Sequence, residues 1–404
     1  MEVISLLFKI LEYILFIYFG IASAYIFLFG LAGLFYKDTR YTRVGKGRKI
    51  AVLIPGYKED AVILEVAKSA LEQNYAFSSF DVVIIADSFQ EQTLKDLRKL
   101  PLKLIEVSFD KSTKSKALNK AMEVLGDDYD VALILDADNI MEPDFISKID
   151  TAFANGVTVV QGHRVAKNLN TSFAILDAIS EEVNNHIFRK GHRKLGLSAS
   201  LIGSAMAFDY AFFKSVMANV TAVGGFDKEL EFKLIKDGIT LHYLNDAYVY
   251  DEKIQRSEDF QNQRRRWLSA QIVYLKQYFL SGVKGFLLKG NIDFLDKVYQ
   301  MMTPPRILLL GVVTVMFLAY SVLEFLVPNL ELSLSSIQWL SLCILTCLAF
   351  ICSIPKSFYN IKTVSAGLTL PKAFIMMFLM LFKLKGANKK FIHTQHGTIN
   401  NEML

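Results

Sequence analysis

Cysteine is scarce in this chain: three in 404 residues, Cys343, Cys347 and Cys352, all inside one apolar run. That spacing supplies neither a zinc site nor a redox Cys-x-x-Cys, so all three read as small apolar residues. A disulfide-stapled secreted miniprotein is excluded. Charge is low as well. Asp, Glu, Lys and Arg make up 21% of the residues, against roughly 25% in an average soluble protein. The 45 basic and 40 acidic side chains leave a net charge of only +5, too little to argue for nucleic acid. No short repeat or low-complexity tract is present, and the composition excludes collagen-like and disordered chains. Two phosphate-binding signatures are also missing. Gly45-Lys46-Gly47 lacks the Walker spacing, and Pro55-Gly56-Tyr57 stands after the first expected strand, where a nicotinamide-binding fold carries Gly-x-Gly-x-x-Gly.

What abounds is apolar surface. Hydrophobic residues reach 52%, with 31 Phe, and mean hydropathy is +0.30. The chain reads as a globular protein attached to a membrane. Residues 13–36 form an apolar block of about 24 residues, enough for one span, since about 20 cross the hydrocarbon core. The block is too long for a signal-peptide core, and Glu2, Lys9 and Glu12 before it are not a basic leader. Six basic residues and one acid follow between Lys37 and Lys49, which puts that side in the cytoplasm. Residues 307–327 and 337–354 are two further spans. Residues 285–303 and 371–384 mix apolar stretches with Lys289, Asp293, Asp296, Lys297, Lys372 and Lys383, so both read as interfacial helices. Glu324, inside the second span, calls for a polar partner or a headgroup contact. The expected domains are a transmembrane helix at 1–36, a cytoplasmic domain at 37–280 and an interfacial helix at 281–304. Two spans at 305–355 and an interfacial helix with a basic tail at 356–404 complete the chain.

Between Lys49 and about Leu280 the pattern alternates. Near-continuous apolar strands at 50–55, 82–86, 103–107 and 131–135 are separated by helical spacing at 60–73, 90–100, 115–125 and 144–154. Such a chain builds an α/β fold with a mostly parallel sheet covered on both faces, and its ligands bind beyond the carboxyl ends of the strands.

The residues at those ends carry chemistry. The first strand runs into Tyr57, Lys58 and Glu59, the second into Asp87, and the fourth into Asp136-Ala137-Asp138. Two acids at i and i+2 on a strand end can hold a hard divalent cation against phosphate oxygens, although a solvated turn is the bland reading. Lys114 opens a helix whose N-terminus suits phosphate, or is an ordinary surface cation. Asp227 and Glu229 sit on the first turn of another helix, where acids also simply favour the helix dipole. Gln263-Arg264-Arg265-Arg266-Trp267 places three arginines in three directions, so one ligand cannot use them all. A basic membrane-facing helix is the alternative.

In this order the motifs resemble the membrane-embedded family-2 glycosyltransferases, the group of cellulose, chitin and hyaluronan synthases. The resemblance covers about residues 49–280. It implies a GT-A fold that binds a nucleotide-sugar, usually UDP-linked, with Mg²⁺ or Mn²⁺. By that resemblance Tyr57, Glu59 and Asp87 hold the uridine and Lys114 lies near the nucleotide. Asp138 contacts the metal with Asp136 beside it, and Gly203 and Ser204 belong to a small-residue strand under the donor sugar. Glu252 matches an acid that often precedes the arginine motif, and Gln263, Arg266 and Trp267 border the diphosphate and acceptor. Asp227, eleven residues before Gly238, takes the position of the catalytic base, with Glu229 as the other candidate. Gly225-Phe226 stands where the family shows Thr-Glu, a departure on the acceptor side.

The expected activity is inverting hexosyl transfer from a UDP-sugar to a growing polysaccharide at the cytoplasmic membrane face. Transfer of one sugar to a lipid-linked acceptor is the alternative, and a silent nucleotide-binding subunit a third reading. The expected partners are the UDP-sugar, a carbohydrate or lipid-linked acceptor and the bilayer. A homo-oligomer is compatible and nucleic acid is not expected. His393 and His396, in the basic tail, would gate the site or lie on headgroups.

Overall fold

The computed structural model describes residues 2–42, 47–220, 224–328 and 332–383. The tail histidines, Gly45 and Lys46 lie outside them. Helix α1 (Glu2–Leu34) leads into a globular region with strands β1 (Ile50–Tyr57), β2 (Phe80–Asp87), β3 (Lys103–Val107), β4 (Val131–Ile134), β5 (Ile140–Met141), β6 (Val159–Ala166), β7 (Met206–Asp209) and β8 (His242–Asp251). Between them run α2 (Ile63–Leu71), α3 (Glu91–Leu97), α4 (Lys114–Leu125), α5 (Phe145–Ala154), α6 (Ser172–Asn184), α7 (His192–Lys194), α8 (Tyr210–Met217) and α9 (Phe226–Lys236). A π-helical stretch, Asn185–Gly191, continues α6 into α7. After β8 come α10 (Ser257–Lys289), α11 (Ile292–Met302), α12 (Arg306–Leu326), α13 (Ser336–Ser353), α14 (Ile361–Gly367) and α15 (Leu370–Met380).

The eight strands form one sheet in the order β3-β2-β1-β4-β7-β6-β8-β5. Strands β3, β2, β1 and β4 are parallel, as are β6 and β8, whereas β7 runs antiparallel between β4 and β6 and β5 antiparallel to β8. The unbroken apolar runs of β1, β2 and β4 follow from burial on both faces. Ala51, Leu53, Val83, Ile85, Ala132 and Ile134 pack on the α4, α8 and α9 side. Ile50, Val52, Ile54, Val82, Ile84 and Leu133 pack on the α2 and α5 side. Neighbours in sequence alternate between the two cores because successive strand side chains point to opposite faces. Leu133 is fully buried, and its truncation to Ala would cost about 3 kcal/mol.

Among the described residues, four helical segments are long and apolar enough to cross a membrane: Leu6–Leu34, Arg306–Leu326, Ser336–Ser353 and Ile361–Lys383. The last begins about ten residues before the short stretch the sequence marks at 371–384. Helices α1, α12 and α13 pack together through Ala22, Ile26, Leu309, Val313 and Trp339. Val183 and Ile187 join the same cluster, so α6 and the π-helical turn dock the globular region onto these helices. The approach is close: a Cβ at Gly191 would fall 2.2 Å from the Phe29 carbonyl oxygen, so only glycine fits. Glu324 accepts hydrogen bonds from the backbone and hydroxyl of Ser336 and so caps α13.

The 285–303 stretch differs from its expected form. It is split at Gly290 (φ +64°) between the end of α10 and the whole of α11. Asp296 and Lys297, in the stretch read from sequence as an interfacial helix, are instead buried: Asp296 lies 3.2 Å from His192 Nε2, and Lys297 forms an ion pair with Glu231. Burial with an oppositely charged partner removes the need for water that sequence alone assigns to such side chains.

Candidate functional site

The parallel strands open a cleft of about 330 Å³ at their carboxyl ends. Tyr57 and Asp87 end β1 and β2 as register partners, which brings them side by side. The chain turns sharply behind each: Lys58 and Ser88 both have positive φ, 57° and 60°, and Lys58 N donates to the Asp87 carbonyl at 3.1 Å. Asp87 is 3% exposed, and its carboxylate accepts from Ser88 Oγ at 2.9 Å. Glu59, also buried, lines the same end of the cleft.

Thr113 caps α4 by accepting from Lys116 N at 3.2 Å, which aims Lys114 inward. The Lys114 ammonium forms a short ion pair with Asp136 Oδ1 and donates to the Gly203 carbonyl at 2.7 Å. It therefore ties the acidic end of β4 to the 203–205 loop. Asp138 is 5% exposed; its two oxygens accept from Asn139 Nδ2 and Glu252 N, each at 3.2 Å.

Gly203 and Ser204 depart from the expected strand under the donor. They form a bend with positive φ at Gly203 (85°) and Ala205 (51°), and β7 starts only at Met206. Ser204 Oγ accepts from Asp136 N at 2.9 Å and donates a short hydrogen bond to Asn139 Oδ1. A fully buried hydroxyl so engaged shapes the Asp136–Asn139 turn. Gly203 passes over Asp227, whose Cγ would lie 3.7 Å from a Cβ at that position.

Neither Asp227 nor Glu229 is among the residues lining the cleft; both lie on the first turn of α9, with Asp227 within the field of Lys114, which does line it. Asp227 is half-buried. Burial pushes its carboxyl above the ordinary range, Lys228 and Lys114 pull it down, and Glu231 pushes it up again. Glu229 turns the other way, paired with Lys233 at 2.6 Å. On that side burial and the nearby Glu229 charge push the Tyr278 hydroxyl up to about 12.

The far wall is the N-terminal part of α10, and its three arginines diverge as helical spacing requires. Arg264 points inward to Asp177 at 2.5 Å and lies 4.3 Å from the Trp267 ring centre. Arg265 Nε donates to the Lys383 carbonyl at 2.8 Å, and Arg266 lines the cleft with Gln263 and Trp267. Burial lowers the Arg266 guanidinium from its ordinary value. The Gln263 Oε1 acceptor is buried and has no donor among the described residues, leaving an acceptor that a ligand hydroxyl or N–H could satisfy.

Sequence reasoning missed the charged floor of the cleft. Arg164 on β6 contacts Glu181 at 2.9 Å, Asp251 at 3.6 Å and Asp136 at 3.7 Å. Lys253 meets Asp251 at 2.7 Å, and Arg189 meets Glu181 at 3.4 Å. Burial alone would raise the Glu181 carboxyl, but Arg164, Lys253 and Arg189 together hold it well below the usual carboxylate range. The available signal was an acid at 177 and another at 181 on the otherwise apolar face of the 172–184 helix.

The donor set suits a divalent cation only in part. Among the described residues no three His, Cys, Asp or Glu side chains converge on one point. Asp138, with Asp136 near it, supplies hard carboxylate oxygens at the cleft wall. Mg²⁺ and similar ions commonly take one or two carboxylates and complete their shell with water and substrate phosphates. The residues fit such a shared site and not a protein-only cage.

Comparison with known proteins bears on the family and the fold. No curated protein matches the sequence. Among solved structures, the mannosyltransferase PcManGT from Pyrobaculum calidifontis, in complex with GDP-Man and Mn²⁺, is similar at TM-score 0.50 and 16% identity. That similarity covers 83% of this chain and 94% of that one. Glucosyl-3-phosphoglycerate synthase from Mycobacterium tuberculosis covers 57% of this chain and 85% of its own, at TM-score 0.40 and 17% identity. S. aureus TarS covers 65% and 51%, at 0.39 and 18%. The profile described as Glycosyltransferase like family 2 matches residues 47–270, more than half of the chain and all of the sheet. The chain belongs to glycosyltransferase-like family 2, with the α/β GT-A architecture.

Proposed function

We propose that this protein is a membrane-attached, inverting hexosyltransferase. It would move a sugar from a UDP-sugar to a growing polysaccharide with a β-linkage at the cytoplasmic face. The observation that carries the reading is convergence. Tyr57, Glu59, Asp87, Lys114, Asp136, Asp138, Gln263, Arg266 and Trp267, distant in sequence, line one cleft. The α10 helix on its far wall packs through Phe260 against Leu308, Met377 and Met380 of the apolar helices α12 and α15.

In this account Tyr57, Glu59 and Asp87 border the nucleoside, and Lys114 and Arg266 place positive charge toward the diphosphate. Mg²⁺ or Mn²⁺ bound by Asp138, with Asp136 beside it, would offset charge growing on the leaving group. Asp227 accepts the proton of the acceptor hydroxyl as that oxygen attacks the anomeric carbon and the bond to the diphosphate breaks. Attack opposite the leaving group turns an α-linked donor into a β-linked product. Two observations support Asp227 over Glu229 as the base. Asp227 lies under Gly203 within the field of Lys114, whereas Glu229 is engaged by Lys233 on the other side of the helix.

Single transfer to a lipid-linked acceptor is the second reading. It is favoured by the contact of α15, part of a candidate spanning segment, with the helix that walls the cleft. One experiment separates the two. Full-length protein in nanodiscs with Mn²⁺ is given a panel of UDP-sugars, with GDP-mannose added because a structural neighbour holds it. Nucleotide release and product length are followed. Turnover lost in D227N with long product supports the synthase; a one-sugar lipid product supports the second reading. A donor that binds without turnover in any membrane would indicate a silent subunit.

A further inference from the structure

Helix α11 lies beyond the segment matched by the family profile, yet it reaches the helix that carries Asp227. Lys297 is 1% exposed, and its Nζ stands 2.8 Å from Glu231 Oε1, in a residue 2% exposed. The same ammonium donates to Ser200 Oγ at 2.8 Å and to Gln300 Oε1 at 3.3 Å. The other Glu231 oxygen accepts from Lys228 Nζ at 2.8 Å. Glu231 follows Asp227 by four residues, so the two carboxylates share one side of α9. Like charges at that spacing oppose each other's ionisation, the more strongly where water is excluded.

We propose that Lys297 is a positioning residue for the transfer reaction: it anchors and neutralises Glu231, so that Asp227 one turn away works as a base. The inference rests on the reading of Asp227 given above. Lys228 also pairs with Glu231, but its side chain is 28% exposed and on the same helix. The Lys297 side chain is 2% exposed, comes from a different element, and acts without water to screen it. Other charges facing Asp227 are Lys228 and Glu231 on its own helix and Lys114 from α4, with the Tyr274 hydroxyl from α10 also close. Facing Glu231 are Lys228 and Lys297. Burial raises the Glu231 carboxyl, but these two cations override it and bring it to about 2. A bond that merely held α11 in place would be served as well by an apolar pair. The electrostatic role demands effects of opposite sign.

The test is an infrared pH titration of full-length protein in nanodiscs, with the D227N spectrum subtracted to isolate the Asp227 carboxyl band. Wild type, K297M, E231Q and K297M/E231Q are compared, together with the acid limb of kcat for whichever donor turns over. K297M is expected to move the Asp227 titration to higher pH and E231Q to lower pH, each by about one unit. The double variant should follow E231Q, because without Glu231 there is no charge for Lys297 to offset. Should K297M fail to fold, K297Q takes its place, with the same upward shift expected and a downward or absent shift overturning the proposal. Shifts of the same sign in K297M and E231Q, or an unmoved titration in E231Q, would overturn the proposal. Turnover retained in D227N would instead sink the base assignment and leave the measured coupling intact.

Discussion

Replacing Arg264 by Met separates the inward-facing arginine from the ones that meet ligand. Arg264 is 6% exposed, bonds Asp177 at 2.5 Å and lies against the Trp267 ring. Its loss leaves the Asp177 carboxylate, 9% exposed, without that partner. Breaking one side of a buried pair costs about 3–5 kcal/mol; the lower figure applies here because Asp177 borders the cleft and water can reach it. The lost contact with Trp267 adds about 1 kcal/mol. D177N/R264M removes both charges and should cost only about 1 kcal/mol, about 3 kcal/mol less than R264M alone, with D177N completing the cycle. Equilibrium unfolding of the four proteins in detergent measures this directly. The ring offers a second readout: Trp339, the other tryptophan, is fully buried, so a red shift in emission of R264M reports Trp267. Donor KM should rise about tenfold with a smaller change in kcat, since the arginine positions the wall and does not meet the reacting atoms. A cost below 1 kcal/mol, or a double variant no better than the single, would refute the reasoning.

Other outcomes follow from the same geometry. D227N should abolish turnover and yet raise the unfolding midpoint at neutral pH. A carboxyl held high by burial contributes stability that is full below its unfolded pKa and is lost as pH rises through the folded one, and Asn removes that loss. Glu181 has the opposite sign: its carboxyl is held low by Arg164, Lys253 and Arg189 after burial is overcome. Its stabilisation is present above the ordinary Glu pKa and is lost as pH falls, so E181Q should flatten the acid side of the stability curve. G203A should cost about 1 kcal/mol from the positive φ alone and lower kcat, measured by unfolding and by turnover, because the loop lies over Asp227. Q263M removes the unpartnered cleft acceptor and should cut kcat/KM about tenfold or more while leaving stability within about 0.5 kcal/mol.

The first four strands, and the helices between them, were legible because burial on both faces writes continuous apolar runs such as 50–54 and 131–135. The cleft residues were legible too, since Tyr57, Asp87 and Asp136 sit where strands end. The antiparallel insertion of β7 was not, because pairing with β4 and β6 is decided by partners far away in sequence. Ser204 illustrates a different limit: a small polar residue reads the same whether it faces a sugar or holds a turn. The charged floor and the Lys297–Glu231 pair were hidden for a related reason. Arg164, Glu181, Lys297 and Glu231 resemble solvated residues until the structure shows each beside its counter-charge. Docking of α6 onto the apolar helices was also hidden, since Val183 and Ile187 give an ordinary amphipathic pattern.

The most direct test is calorimetric titration of UDP into full-length protein in nanodiscs, with and without Mn²⁺, for wild type, D138N and D87N. The account predicts saturable one-site binding that needs the metal, is lost in D138N and is weakened at least tenfold in D87N. Equal binding without metal, or binding that survives in D138N and D87N alike, would contradict the assignment of this cleft as the nucleotide-sugar site.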